Sequence, residues 1–273
     1  MENRNAPIGI FDSGLGGLTV AREVIRQIPN ERIVYFGDTA RVPYGSKSKD
    51  TIRHYSEQIV NFLYTKDVKA IVVACNTASA YALEEIRDEV KVPIIGVVKP
   101  GAFTAAKSTR NQKIGVIGTE GTVHSDLYKR YIRELDPSIE VFQKACPLLC
   151  PLVEEGWWHD EITTSVVRRY LRGLTAAGID TLILGCTHYP LIRSTIRSVV
   201  GERVTLINPA YETALELKRL LQEKELLSEE SLPGSEEKYR FYVSDDPGKF
   251  DAFASSVLEF SVSPSEKVHI EAY

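Results

Sequence analysis

Long apolar runs are missing from this 273-residue chain. Its strongest ones, Ala70–Cys75 and Val92–Val98, hold six and seven residues, whereas a membrane-spanning helix needs about 20. No membrane association is expected. The opening MENRNAPIGIF lacks the apolar segment of a secretory signal. An excess of charge of one sign is missing too. Lys and Arg number 33 against 37 Asp and Glu, a net charge of -4, which leaves no electrostatic footprint for nucleic acid. Cysteine is scarce, at positions 75, 146, 150 and 186, too scattered for a disulfide framework in a chain this long. A reduced, cytoplasmic protein is expected. What remains is ordinary globular usage, 43% hydrophobic and 26% charged, with length for one large or two small domains.

Short apolar runs alternate with helical patterns along the chain. Strands are predicted at Ile8–Phe11, Arg32–Phe36, Ala70–Ala74, Pro93–Val97, Lys113–Ile117, Ile139–Gln143, Thr181–Leu184 and Val204–Ile207. Helices are predicted at Leu18–Ile28, Lys49–Lys66, Ser79–Val90, Ser125–Leu135, Thr163–Ala177 and Ala210–Leu226. Ile52, Tyr55, Ile59 and Phe62 mark one face of the second helix. Apolar strands alternating with helices predict parallel sheets in an α/β fold. Ser228–Glu237 reads as a loop, and Tyr239–Val243 and Val268–Ile270 as edge strands of a final small unit.

An internal repeat organises these elements. IGIFDSG begins at Ile8 and IGVIGTEG at Ile114; VVACNT ends a strand on Cys75 and LILGCTH on Cys186. The paired motifs stand 67 and 72 residues apart. Two pseudo-symmetric lobes are therefore expected, each a mostly parallel sheet flanked by helices, with the active site in the cleft between them. The predicted boundaries are 1–98 plus 208–273 for the lobe carrying Cys75, and 99–207 for the lobe carrying Cys186. Ligands of open α/β sheets bind outside the carboxyl ends of the strands, so facing lobes would bring both cysteines to one cleft.

Each cysteine precedes a helix, whose N-terminus favours thiolate. Asn76, Thr77, Thr187 and His188 surround them with donors and acceptors. Cys146 and Cys150 form a C-x3-C among Pro and Leu without a second ligand pair, so they read as packing residues, and no metal is expected. Asp12-Ser13-Gly14-x-Gly16-Gly17 follows a strand and opens a helix, but lacks the full dinucleotide spacing. Its N–H groups suit any anion, including a carboxylate. Gly37-Asp38-Thr39 through Pro43-Tyr44-Gly45-Ser46 is a second strand-end loop rich in donors. His188 is a candidate acid, base or thiol partner, whereas Glu154, beside Glu155 and a turn, carries little weight alone.

Taken together, FDSGLGGLTV, YFGDTARVPYGSKS, VVACNTASA, GVIGTEGTVHS and LGCTHYPL resemble the glutamate racemases of the cofactor-independent aspartate/glutamate racemase family. The resemblance runs from Ile8 to the 220s. LINPAYETA departs from it at Asn208-Pro209, where the family tends to have Asp-Ser. Only seven residues precede the first strand, so the extension through which some members respond to a cell-wall precursor is expected to be missing.

The resemblance implies interconversion of L- and D-glutamate by two-base proton transfer at Cα, supplying D-glutamate for peptidoglycan. Inversion removes a proton from one face and returns one to the other, which a thiolate and a thiol on opposite sides can do. By resemblance Cys75 takes the proton from D-glutamate and Cys186 from L-glutamate. Asp12 supports Cys75; Glu154 and His188 support Cys186. Substrate contacts carry over to Asp12, Ser13, Pro43, Tyr44, Gly45, Ser46, Asn76, Thr77, Thr119, Thr122, Thr187 and His188. No cofactor is implied. Lys99 is conceivable as a Schiff-base lysine, but no phosphate-cup motif accompanies it. The implied partner is small-molecule substrate alone, and a homodimer is the assembly to look for. Aspartate or hydantoin racemases share the two-thiol logic. A Cys186–His188 hydrolase leaves the second cysteine motif unexplained, and a two-lobed binding protein would commonly be exported, for which no signal is visible.

Overall fold

The computed structural model describes residues 4–229, 238–260 and 262–273. β1 (Ile8–Asp12) turns through a glycine-rich loop into α1 (Leu18–Gln27) and returns as β2 (Ile33–Gly37). A single 3-10 turn, Tyr44–Ser46, precedes α2 (Lys49–Tyr64), whose first turn is capped by the Ser48 hydroxyl. β3 (Ala70–Val73), α3 (Asn76–Tyr81), α4 (Leu83–Ile86) and β4 (Ile94–Gly96) complete the first series. The second series begins after α5 (Val98–Ser108). It runs β5 (Lys113–Gly118), α6 (Glu120–His124), α7 (Leu127–Leu135), β6 (Glu140–Ala145), α8 (Leu149–Glu154) and α9 (Glu161–Ala176). It closes with β7 (Thr181–Gly185), α10 (Arg193–Val200) and β8 (Thr205–Ile207). α11 (Pro209–Glu223), β9 (Tyr239–Val243), α12 (Pro247–Leu258) and β10 (Glu266–Lys267) follow.

The strands assemble into two parallel sheets, ordered β10-β9-β2-β1-β3-β4 and β6-β5-β7-β8. Every residue of β1, β2, β3 and β7 is buried, as expected for strands covered by helices on both faces. The internal repeat is thus a repeat of topology. The orders β2-β1-β3-β4 and β6-β5-β7-β8 correspond strand for strand, and in each the cysteine-bearing strand lies beside the strand of the glycine motif. That junction is where strand order reverses, the place where α/β sheets bind ligands. Among the described residues no helix is long and apolar enough to cross a membrane.

Several expectations are corrected. Tyr239–Val243 forms no separate unit: β9 pairs with β2, Ile33 opposite Tyr239, and extends the first sheet. The strand predicted at Val268–Ile270 lies earlier, at 266–267, and 270–272 is a 3-10 turn that buries Ile270. The helix predicted at Ser79–Val90 begins at Asn76, because Cys75 is already its cap, and breaks at Ala82. The helix predicted at Ser125–Leu135 begins at Leu127, after Asp126 in left-handed conformation (φ 53°), which Asp tolerates better than most residues. Helices α5, α6, α8, α10 and α12 were not foreseen. Of the loop predicted at Ser228–Glu237, residues 230–237 lie outside the described residues.

Candidate active site

Asp12 ends β1 fully buried, and its Oδ2 accepts the Gly14 N–H at 3.0 Å. Burial raises its carboxyl above the ordinary range; the nearby His188 charge and the N–H groups of Gly17, Gly14 and Ser13 oppose that rise. Gly17 has no side chain for a packing reason: a Cβ there would lie 2.3 Å from the Asp12 Cβ. Cys75 follows β3, and its sulfur accepts the Ala78 N–H at 3.5 Å as the cap of α3. Burial, then the Asp12 carboxylate, pushes the Cys75 thiol up to about 12, against the Ala78 N–H and the Ser13 hydroxyl.

The second half is built from β7 and α8. Cys186 Sγ lies 3.6 Å from His188 Nδ1, and His188 Nε2 lies 3.0 Å from Glu154 Oε1. Burial disfavours imidazolium, but the Cys186 sulfur and the Glu154 carboxylate outweigh it and raise His188 to about 10. Burial likewise opposes ionisation of Glu154, yet His188 and Lys249 hold it below the usual carboxylate range. The Cys186 thiol is pushed well up, first by Cys150 at 3.5 Å and then by burial, while His188 pulls it down. The charge of Cys186 is among those that raise Cys75, and His188 acts on Asp12. The two halves share one electrostatic environment.

Close contacts stitch the two sheets together around these groups. Thr77 and Thr119 share a hydroxyl hydrogen bond of 2.8 Å, and Thr122 lies 3.1 Å from Thr119. Asn76 Oδ1 accepts the Tyr128 hydroxyl at 2.7 Å, and the Thr187 carbonyl accepts the Thr19 hydroxyl at 2.8 Å. A Cβ on Gly16 would lie 2.3 Å from Thr187 Oγ1 and 2.6 Å from His188 Nδ1; one on Gly45 would lie 2.6 Å from the Thr119 Cβ. The glycine motifs thus permit close approach of the two sheets' loops.

Most of the residues singled out in the sequence converge here: Asp12, Ser13, Cys75, Asn76, Thr77, Thr119, Thr122, Glu154, Cys186, Thr187 and His188, with Gly45 against Thr119. Pro43 and Ser46 are exposed in the loop beside Gly45. Tyr44 is buried, and its hydroxyl donates to the Asp38 carboxylate. Asn208 caps α11 through Ala210 N and, with Pro209, backs a small pocket against Asn76, Cys186 and Thr187. Lys99 instead lines a cavity of about 480 Å³ with Arg87, Phe103 and Tyr131, apart from both of these cysteines. Two neighbours were missed. Lys249, on α12, reaches Glu154 Oε2 at 3.9 Å and lines a cleft of about 150 Å³ with Glu154 and Gly14. Cys150 is half-buried against Cys186, not simply packed. Its signal was the spacing to Glu154, four residues on along a helix and hence on one face.

The model of the family described as Asp/Glu/Hydantoin racemase matches residues 8–216. This chain belongs to the Asp/Glu/hydantoin racemase family. Within the family it is 48% identical to a glutamate racemase of Geobacter metallireducens, across 97% of both chains. It is also 48% identical to one of Neisseria meningitidis, across 99% of this chain and all of the other. The crystal structure of the Francisella tularensis glutamate racemase in complex with D-glutamate superposes with a TM-score of 0.91 at 39% identity, covering 99% of this chain and 100% of that one.

Proposed function

We propose that this racemase interconverts L- and D-glutamate without a cofactor, Cys75 and Cys186 serving as the two bases. One observation carries the reading: a buried cysteine follows the equivalent strand of each sheet, and each has an ionisable neighbour, the Asp12 carboxylate whose charge acts on Cys75 and the His188–Glu154 pair beside Cys186. Burial at Cys75, and the Cys150 contact followed by burial at Cys186, push both thiols above their ordinary range and so favour the protonated form. An amino acid's α-ammonium between them favours a thiolate, which takes the Cα proton while the opposite thiol returns one. On the Cys186 side, protonated His188 stabilises the thiolate. The hydroxyls of Ser13, Thr77, Thr119, Thr122 and Thr187 and the amide of Asn76 supply donors for the carboxylates. Low local dielectric strengthens such donors where charge develops.

We further place residues 1–98 with 208–273 in one lobe and 99–207 in the other, because β5–β8 all fall within the latter. The cytoplasm suits its four free thiols, and the D-glutamate formed would feed peptidoglycan. A homodimer is testable by light scattering as twice the 30.5 kDa chain mass. The Cys186–His188–Glu154 line also fits a hydrolase, which an acyl adduct on Cys186 would reveal. The deciding experiment incubates the protein with unlabelled L-glutamate in D₂O and no cofactor. Early product D-glutamate should carry deuterium at Cα while residual L-glutamate stays protiated. Product retaining its original hydrogen refutes the two-base route. Absence of D-glutamate, or faster turnover of aspartate, refutes the substrate assignment.

A further inference from the structure

Cys150 is the one thiol near the reaction centre that the proposed chemistry leaves unused. Its sulfur lies 3.5 Å from Cys186 Sγ, and Cys186 Sγ lies 3.6 Å from His188 Nδ1. All three donor atoms fall within 4.8 Å of one another. A tetrahedral ion with bonds of about 2.3 Å to sulfur and about 2.0 Å to nitrogen separates two sulfurs by about 3.8 Å and sulfur from nitrogen by about 3.5 Å. Two of the three edges already have those lengths to within about 0.3 Å. The histidine is also held as metal-bound histidines are: its other nitrogen, Nε2, meets the Glu154 carboxylate at 3.0 Å, the outer-shell arrangement that fixes the tautomer and raises ligand basicity. Thiolate and imidazole together select zinc among common divalent ions.

We propose that Cys150, Cys186 and His188 form a binding site for a thiophilic divalent cation, Zn²⁺, which inhibits the enzyme reversibly by occupying the Cys186 sulfur. Three protein ligands leave a fourth position for water or the amino-acid substrate. Binding displaces the protons of both thiols and of Nδ1, so one Zn²⁺ exchanges for three H⁺. The ion plays no part in racemisation. Inhibition rests on the proposed function, but occupancy of the site does not.

Two measurements on the full chain test it. Titration with Co²⁺ as spectroscopic probe should produce near-ultraviolet thiolate-to-cobalt absorption that Zn²⁺ abolishes and that Cys150→Ala and Cys150→Val weaken. Racemisation in buffered free Zn²⁺ should be inhibited and then restored by chelator. The Cys150 variants should need at least roughly 10–100-fold more zinc, since removing even an outer-shell partner of a ligand costs that much affinity. Cys146→Ala, whose thiol faces the Lys144 carbonyl, should retain native sensitivity. No charge-transfer band in the native protein, or equal zinc sensitivity with and without Cys150, overturns the proposal. If glutamate is not racemised at all, the cobalt titration still decides whether the site exists.

Discussion

Replacing Glu154 by Gln keeps the shape of the side chain and one oxygen able to accept from His188 Nε2, and removes its charge. His188 is held at about 10 rather than its ordinary 6.5, with Glu154 Oε1 3.0 Å from Nε2. Two unit charges about 4 Å apart in an effective dielectric of about 20 interact by about 4 kcal/mol. Glu154 is one-quarter exposed and also shared with Lys249, so roughly half of that is expected to reach His188. The loss corresponds to about 1–2 pH units at 1.36 kcal/mol each. His188 should then titrate near 8–9, and the alkaline limb of kcat/KM should move down by the same amount. Enantiomers are equal in free energy, so the loss in kcat/KM is identical in both directions; asymmetry can appear only in kcat and KM separately. Stability follows the same sign. A His raised in the folded state contributes stability that is present below 6.5 and lost as pH rises through about 10. The variant's smaller contribution should disappear at lower pH. The assay is ¹⁵N NMR titration of the His188 imidazole beside pH–rate profiles and urea unfolding. A folded Glu154→Gln protein whose His188 titration moves by less than about half a unit refutes the reasoning.

Cys75→Ala and Cys186→Ala should each lower kcat/KM by at least roughly 10²–10⁴, while Cys146→Ala changes mainly stability; a folded variant of either base at near-native rate removes it from its role. Gly16→Ala sets a methyl 2.3 Å from Thr187 Oγ1. Displacing the Cys186 segment should cost about 10² in rate, whereas Gly173→Ala, with nothing within 4 Å, should be harmless; equal rates for both refute the packing argument. Lys69 and Glu31 form a buried pair 2.5 Å apart, side chains 2% and 1% exposed. Lys69→Met should destabilise by about 3–5 kcal/mol, because the carboxylate stays buried without its partner, and a loss below about 1 kcal/mol in urea unfolding contradicts this.

Legibility from sequence followed locality. Ile8–Phe11, Ala70–Ala74 and Thr181–Leu184 could be read as strands because fully buried parallel strands are short apolar runs bounded by turns. The misread segments lacked such a signature. α8 is only six residues long and contains Pro151, and the tail's β9 looked independent because nothing local says that it pairs with β2, some 200 residues away.

The sequence by itself determined the α/β class, the twofold repeat and the two strand-end cysteines, with His188 two residues after Cys186. Adjacent residues stay adjacent in any fold, so that grouping survived. It also placed Gly16 and Gly45, but not their reason, which is the close approach of Thr187 and Thr119 from the opposite half. Only the tertiary structure decided which groups meet across long separations: Glu154 on His188, Lys249 on Glu154, Cys150 on Cys186, and Thr77 on Thr119. A side chain's charge state depends on burial and on every neighbour within a few ångströms, and those neighbours are supplied by the packing of two sheets rather than by the order of residues along the chain.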